Sequence, residues 1–218
     1  MSASLNSPFN PLALKLRIRA MEDWWFDTTR SVRTSGDERQ FGGSSVVGPL
    51  RDSLNYHPAR VSNARAALRD LPVRDHSQYT FIDIGSGKGR MLFLAAEFPF
   101  RQVLGVEFAT DLHQLACANI RRYNGLKQRC VNIESIRANA AEFEFPIQSL
   151  VVYMFNPFGP EIMSKMLERL RLSIETNPRH VIILMLWPEQ SRLVEQMPLM
   201  QVYKKTRRHH IYQTSNPG

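Results

Sequence analysis

The most informative run of the sequence is Phe81-Ile82-Asp83-Ile84-Gly85-Ser86-Gly87-Lys88-Gly89-Arg90. Its apolar half predicts a buried strand, and the glycines that follow predict a tight loop that opens a helix. Glycines at alternate positions let a ligand lie against the backbone, because no Cβ stands in the way. Dinucleotide-binding folds use Gly-x-Gly-x-x-Gly, whereas this run has Gly-x-Gly-x-Gly after an acidic residue, so it predicts a different cofactor.

A regular alternation of strands and helices extends from this run towards the C-terminus. The predicted strands are all apolar and cover residues 79–84, 102–108, 130–136, 150–156 and 180–186. The predicted helices between them cover 89–97, 110–123 with Thr110 as N-cap, and a stretch that begins at Gly159. This rhythm predicts a parallel sheet covered on both faces. Residues 200–205 and 210–214 flank a basic turn and predict an antiparallel hairpin at one sheet edge.

The N-terminal part lacks this alternation. Residues 21–26 form a dense apolar cluster that predicts a short helix, while Pro8 and Pro11 argue against a long amphipathic helix before it. The sequence therefore predicts an N-terminal cap or lid segment, residues 1–57, and an α/β domain, residues 58–218.

Composition places the chain among ordinary globular proteins, with 218 residues, 43% of them hydrophobic and 22% charged. Cys117 and Cys130 fit neither a disulfide framework nor a metal-ligand spacing, so no metal is predicted. No apolar run reaches the ~20 residues of a membrane span, and no signal-peptide pattern is present. These features predict a cytoplasmic location.

The formal net charge of +8 is concentrated towards the two ends of the chain. Basic residues cluster in 15–19 and again in 204–208. A solvated basic surface is the ordinary interpretation, and affinity for nucleic acid is the alternative. No RNA-binding motif or zinc finger supports the alternative, so a nucleic-acid partner stays open without being favoured. The sequence does not indicate an oligomeric state.

Polar residues stand at the predicted carboxyl ends of the strands, where ligands bind in open α/β sheets. Asp83 ends the first strand, Glu107 and Phe108 end the second, and Asn156 ends the fourth. Glu107 follows Asp83 by 24 positions, a place from which a carboxylate can accept hydrogen bonds from both hydroxyls of a ribose. A surface carboxylate at a strand end is the alternative interpretation of Glu107.

These motifs, in this order, resemble those of class I S-adenosylmethionine-dependent methyltransferases. Asp83-x-Gly85-x-Gly87-x-Gly89 is similar to the first motif of that family, and residues 103–107 are similar to the second. Residues 137–143 resemble the third motif and 153–158 the fourth. Phe26-Asp27, Thr34-Ser35-Gly36 and Tyr56-x-Pro58 resemble the cap of a bacterial subgroup whose substrates are poorly defined.

The resemblance implies an α/β, doubly wound, mostly parallel seven-stranded sheet, the Rossmann-like methyltransferase fold, and S-adenosylmethionine as cofactor, with S-adenosylhomocysteine as product. The implied cofactor-binding residues are Asp83, Gly85, Ser86, Gly87, Gly89, Glu107, Phe108, Asn139, Ala140 and Asn156. Glu107 would bind the ribose, and Asn139 with the neighbouring backbone would read the adenine edge. Two positions depart from the family pattern: Asn139 replaces the usual Asp, and Phe158 replaces the second Pro of many N-methyltransferases.

Three residues are candidates for a catalytic role: Asn156, Tyr153 and Tyr56. Asn156 would orient the acceptor, with Tyr153 nearby and Tyr56 contributed by the cap. The alternative is that Asn156-Pro157 only forms a turn before the next helix.

The predicted activity is methyl transfer to a nitrogen or oxygen of a small-molecule or protein acceptor, by in-line displacement and mainly through positioning. A nucleic-acid methyltransferase and a non-catalytic S-adenosylmethionine-binding module are the alternatives. A nicotinamide dehydrogenase is disfavoured, because the third glycine of the loop comes one residue early.

Overall fold

The computed structural model describes residues 11–36, 57–155 and 158–214. The helices are α1 Pro11–Arg30, α2 Val61–Arg69, α3 Arg90–Ala95, α4 Thr110–Arg122, α5 Pro160–Thr176 and α6 Ser191–Glu195. The strands are β1 Tyr79–Ile84, β2 Gln102–Glu107, β3 Ile133–Arg137, β4 Ser149–Met154, β5 Val181–Leu186, β6 Met200–Lys205 and β7 His209–Thr214. None of the helices in these ranges combines the length and apolar character needed to cross a membrane.

The seven strands form one sheet in the order β3-β2-β1-β4-β5-β7-β6. Strands β1 to β5 run parallel, and β7 pairs antiparallel with both β5 and β6. This arrangement confirms the predicted fold class, including the C-terminal hairpin. The strand order reverses direction between β1 and β4. These two strands are paired from Tyr79↔Ser149 to Ile84↔Met154, so their carboxyl ends are level. That switch point is where ligands bind in sheets of this kind.

Two apolar clusters cover the two faces of the sheet. Phe81 and Val151 face α2 and α3, whereas Ile82 and Val152 face α5. Because side chains alternate along a strand, continuous apolar strands fill both clusters at once. Strand β5 is buried at all six positions, as a central strand should be.

Helix α1 is much longer than the sequence predicts, and the prediction of only a short helix at 21–26 is wrong. Pro11 is the first helical residue, a position whose N–H would have no helical partner, so proline costs nothing there. Phe26 and Arg30 are the buried residues of this helix. Arg30 lies over the Phe26 ring and pairs with Glu97, two residues after the end of α3. Tertiary contacts of this kind stabilise a helix whose sequence pattern is weak.

Some predicted element boundaries are also wrong. The third strand begins at Ile133 and not at Cys130, because the Cys130 N–H donates to the Ala96 carbonyl, 3.1 Å away, beside α3. The N-cap of α4 is Ala109 and not Thr110, and the Ala109 carbonyl accepts from the His113 N–H. The division into a cap and a domain at residue 57 stays a prediction.

Candidate active site

The glycine loop after β1 has the backbone conformation that its sequence predicts. Gly85, Gly87 and Gly89 have φ values of 78°, 53° and 86°, in the left-handed region that a Cβ disfavours. The N–H groups of Gly85 and Ser86 both donate to the Val106 carbonyl of β2, at 2.9 and 3.1 Å. The loop is therefore fastened to the neighbouring strand.

Gly105 of β2 lies directly under this loop. A Cβ at position 105 would stand 2.7 Å from Ser86 Oγ, 2.9 Å from Ser86 Cβ and 3.0 Å from Leu92 Cδ1. The loop can approach β2 this closely only because residue 105 has no side chain. Sequence reasoning gave Gly105 no role of its own, although a glycine inside a strand is a signal of close backbone approach.

Glu107, at the end of β2, connects three strand ends. Its Oε2 accepts from the Gly87 N–H and its Oε1 from the Ala109 N–H, both at 2.8 Å. Its backbone carbonyl accepts from the Ala138 N–H, 3.1 Å away, just after β3. Burial raises the pKa of the Glu107 carboxyl, and the backbone donors, among them the Ala109 and Gly87 N–H groups, oppose that shift.

Asp83 is the second buried carboxyl group of this edge. It lies near the end of β1, between Gly105 of β2 and Tyr153 of β4. Burial raises its pKa well above the ordinary aspartate range, and the charge of Glu107 adds to the shift. Two buried carboxyl groups, one of which disfavours the ionisation of the other, form a site that attracts a cation.

The end of β3 supplies a short turn beside Glu107. Asn139 precedes a single 3₁₀ turn, Ala140–Glu142, and its Oδ1 accepts from the Ala141 N–H at 3.1 Å. Its Nδ2 donates to Glu142 Oε1, also at 3.1 Å. The Phe108 ring, after Glu107, is 49% exposed. Phe108 is therefore an apolar surface at the edge of the sheet.

The predicted residues are thus only partly brought together. The carboxyl ends of β1, β2 and β3, or the residues directly after them, hold Asp83, the glycine loop, Glu107, Phe108, Asn139 and Ala140. Tyr153 is 2% exposed, and its ring stacks on Phe81 with 6.1 Å between ring centroids, inside the core. Tyr56 and Asn156 lie outside the described residues. The roles predicted for all these residues stay predictions.

Sequence reasoning missed two buried cations next to the loop, Lys88 and Arg90. Lys88 Nζ donates to the Ser35 carbonyl at 3.0 Å, and Arg90 Nε donates to Thr34 Oγ1 at 2.8 Å. The sequence did contain a signal for them. Lys88 and Arg90 belong to the run 81–90, which sequence reasoning placed between a buried strand and a helix.

Residues 77–166 match the family model described as "Putative methyltransferase". The matched range holds β1 to β4 and, with them, the glycine loop, Glu107 and Asn139. The match covers less than half of the chain, and this part resembles methyltransferases in sequence as well as in fold. No curated protein sequence matches this chain significantly.

Solved structures share the fold of this chain at low sequence identity. A "predicted N6-adenine-specific DNA methylase" from Listeria monocytogenes has a TM-score of 0.54 and 15% identity, over 82% of this chain and 54% of its own. A "putative RNA methyltransferase" from Pyrococcus horikoshii has a TM-score of 0.52 and 18% identity, over 79% and 93%. TrmN from Thermus thermophilus has a TM-score of 0.50 and 20% identity, over 76% and 51%. The chain thus spans about half the length of the Listeria and Thermus proteins.

The residues at this edge of the sheet fit S-adenosylmethionine, the cofactor that the sequence resemblance implies. The buried carboxyl groups of Asp83 and Glu107 match a ligand that carries a sulfonium and an ammonium charge. Within the described ranges, Ser86 Oγ is buried and makes no hydrogen bond, so a ligand atom can supply its partner. The Phe108 ring at the same edge is exposed and apolar, which is compatible with an aromatic ligand.

Proposed function

We propose that this methyltransferase transfers the methyl group to a nitrogen or oxygen of a small-molecule or protein acceptor, by in-line displacement. The observation that carries the proposal is the position of Glu107. It is hydrogen-bonded through its side chain to the loop after β1 and through its backbone carbonyl to the segment after β3. When bound, S-adenosylmethionine supplies a methyl group that its sulfonium has already activated. The protein therefore needs mainly to align the acceptor and exclude water.

Each proposed cofactor contact follows from the position of a residue at this edge. Each carboxylate oxygen of Glu107 accepts one backbone hydrogen bond, from the Gly87 or the Ala109 N–H, and keeps capacity for a ribose hydroxyl. Asp83 faces the positive charge of the ligand, and Gly85, Ser86, Gly87 and Gly89 provide close backbone approach. Asn139 and Ala140 read the adenine edge, Phe108 packs against the adenine ring, and Asn156 borders the methyl group.

The charge pattern near the C-terminus supports a small-molecule or protein acceptor over a polyanion. Lys204 Nζ pairs with Asp70 at 2.7 Å, and Lys205 Nζ pairs with Glu195 at 2.8 Å. Two of the four basic residues at 204–208 are therefore paired with the protein's own acids, which reduces the affinity of this cluster for phosphates.

A nucleic-acid acceptor is the second candidate. The formal net charge of +8 favours it, and so does the fold shared with the Listeria protein described as a DNA methylase and the Pyrococcus protein described as an RNA methyltransferase. The two acceptor classes differ in salt dependence, because phosphate contacts release counterions. Tight binding of RNA or DNA that falls steeply between low and physiological salt would decide for nucleic acid.

A calorimetric titration tests the proposed function. We expect the purified protein to bind S-adenosylmethionine and S-adenosylhomocysteine and not NAD. Transfer of a labelled methyl group from S-adenosylmethionine to fractionated small molecules, proteins and nucleic acids would then identify the acceptor. Binding of NAD without binding of S-adenosylmethionine would refute the proposal.

Replacement of Asn156 by Ala is expected to lower kcat about tenfold, because the acceptor loses a group that orients it. The dissociation constant of S-adenosylmethionine should change much less than kcat. Asn177→Ala, at the C-terminal end of α5, is the matched control and should keep wild-type turnover. Unchanged turnover of Asn156→Ala, with the acceptor identified, would leave Asn156-Pro157 as a simple turn.

Replacement of Asp83 by Asn is expected to stabilise the protein while weakening cofactor binding. The raised pKa of Asp83 means that the folded state resists ionisation of this carboxyl. Below the ordinary aspartate pKa this penalty is absent; it grows as the pH rises from that ordinary pKa to the raised pKa of the folded state, and it is constant at higher pH. The melting temperature of Asp83→Asn should therefore exceed that of the wild type at neutral pH by about 2–4 °C.

Thermal scans of both proteins at several pH values measure this difference. The advantage of Asp83→Asn should shrink towards acid pH, because the wild-type carboxyl is then protonated in both states. An advantage that is constant with pH would contradict the role given to burial of the charge.

A further inference from the structure

Residues 31–36, here called the strap, run along the outer side of the glycine loop. The strap is joined to the loop by the buried side chain of Asn119 on α4. Asn119 Oδ1 accepts from the Arg33 N–H at 2.9 Å, and its Nδ2 donates to the Arg33 carbonyl at 3.1 Å and to the Lys88 carbonyl at 2.9 Å. One amide thus holds the backbones of the strap and the loop together.

The conformation of the strap is set by helix α1. Asp27 Oδ2 accepts from the N–H groups of Thr34 and Ser35, both at 2.9 Å, and its Oδ1 accepts from Thr34 Oγ1 at 2.6 Å. Val32 and Thr34 are buried. The hydroxyls of Thr34 and Ser35 therefore stand in fixed positions.

Arg90, the first residue of α3, uses those positions. Its Nε donates to Thr34 Oγ1 at 2.8 Å and its Nη2 to Ser35 Oγ at 2.9 Å. Its Nη1 donates to Asp23 and, at 3.2 Å, to the Ala59 carbonyl. The guanidinium is thus held by α1, by the strap and by the segment before α2, and Arg90 is only 3% exposed.

The burial of two positively charged side chains beside one loop costs free energy that a fold could avoid. Lys88 and Arg90 are buried cations beside the first turn of α3, and the amino end of a helix disfavours positive charge. Well-packed apolar residues commonly stabilise a protein as well as a buried ion pair does. Buried charges at such unfavourable positions are expected where a protein needs a fixed geometry for its function.

We propose that Arg90 is a positioning residue for cofactor binding, which it supports by holding the glycine loop against the strap. Glu107 Oε2 holds the inner side of the loop at Gly87, and Arg90, with Lys88, holds the outer side. Arg90 acts through the loop, and a loop fixed in the binding conformation loses less entropy when the ligand binds. The inference rests on the proposed function, because it concerns the same cofactor site.

The test compares Arg90→Lys, Thr34→Val and Thr34→Ser with the wild type. Lysine at position 90 keeps the positive charge but loses the planar guanidinium, whose several N–H groups donate at once. Valine at position 34 removes the hydroxyl group, and serine keeps it. We expect Arg90→Lys and Thr34→Val to bind S-adenosylhomocysteine about tenfold more weakly, a loss of the size of one charge-assisted hydrogen bond. Thr34→Ser should bind as the wild type does. Arg171→Lys, on the exposed face of α5, is the matched control and should show no change.

Amide hydrogen exchange of the ligand-free variants supplies a readout separate from binding. Residues 85–90 should exchange faster in Arg90→Lys and Thr34→Val, while β4 and β5 keep wild-type protection. If the wild type binds no S-adenosylhomocysteine, the proposed function fails, and loop exchange still shows whether Arg90 holds the loop. If the wild type binds it and Arg90→Lys matches the wild type in affinity and loop exchange, the inference fails. Equal loss of protection throughout the sheet would reduce Arg90 to a general stabiliser and would also overturn it.

Discussion

Replacement of Glu107 by Ala is expected to weaken the binding of S-adenosylmethionine about 100-fold or more, a loss of about 3 kcal/mol. Two effects combine in this variant. The proposed hydrogen bonds to the ribose hydroxyls disappear, and the buried N–H of Gly87 loses its acceptor. An unsatisfied buried N–H costs about 1–3 kcal/mol, so the loop is expected to leave its binding conformation.

Glu107→Gln separates charge from shape. Glutamine fills the same space, but one of its two terminal atoms is an amide nitrogen, which cannot accept from the N–H of Gly87 or of Ala109. We therefore expect a loss nearly as large as that of the alanine variant. Glu134→Ala, on an exposed position of β3, is the matched control. Wild-type affinity in Glu107→Gln, measured by calorimetry, would show that Glu107 is only a strand-end carboxylate.

The sheet and the loop could be predicted from sequence because their determinants are local. The apolar strands and the left-handed glycines of 85–89 depend on neighbours a few positions away. Glu107 was predicted as a ribose ligand from its place after the second strand. Its bond to Gly87 could not be predicted, because that bond depends on how β1 and β2 align across 20 positions.

The parts of the site that were not predicted from the sequence depend on contacts between residues far apart in the chain. Arg90 is hydrogen-bonded to Thr34, which lies 56 positions earlier in the sequence, and no sequence pattern links two residues so far apart. Helix α1 was underestimated because Pro11 was counted as a helix breaker, although it is harmless as a first helical residue. Patterns within a segment predict that segment, whereas its attachment to the loop depends on packing that only the folded chain provides.

Replacement of Gly105 by Ala is expected to destabilise the protein by about 2 kcal/mol, a typical cost of overpacking a well-packed site. The new Cβ would lie 2.7 Å from Ser86 Oγ and 2.9 Å from Ser86 Cβ, so the loop must move. It cannot move freely, because the N–H groups of Gly85 and Ser86 are bonded to Val106, the next residue along β2. We therefore expect affinity for S-adenosylmethionine to fall more than tenfold as the loop is pushed from its binding conformation.

A second substitution can relieve the same clash. Ser86→Gly removes both Ser86 atoms that the new Cβ would meet and leaves Leu92 Cδ1, the end of a flexible side chain, at 3.0 Å. In a double-mutant cycle, Gly105→Ala should therefore cost much less stability and affinity in the Ser86→Gly background than in the wild type. Gly159→Ala is the matched control, because a Cβ there has no neighbour within 4 Å and cofactor affinity should not change. Additive effects of Gly105→Ala and Ser86→Gly would mean that Gly105 affects the loop by some route other than close approach, since residues that compete for one space cannot act independently.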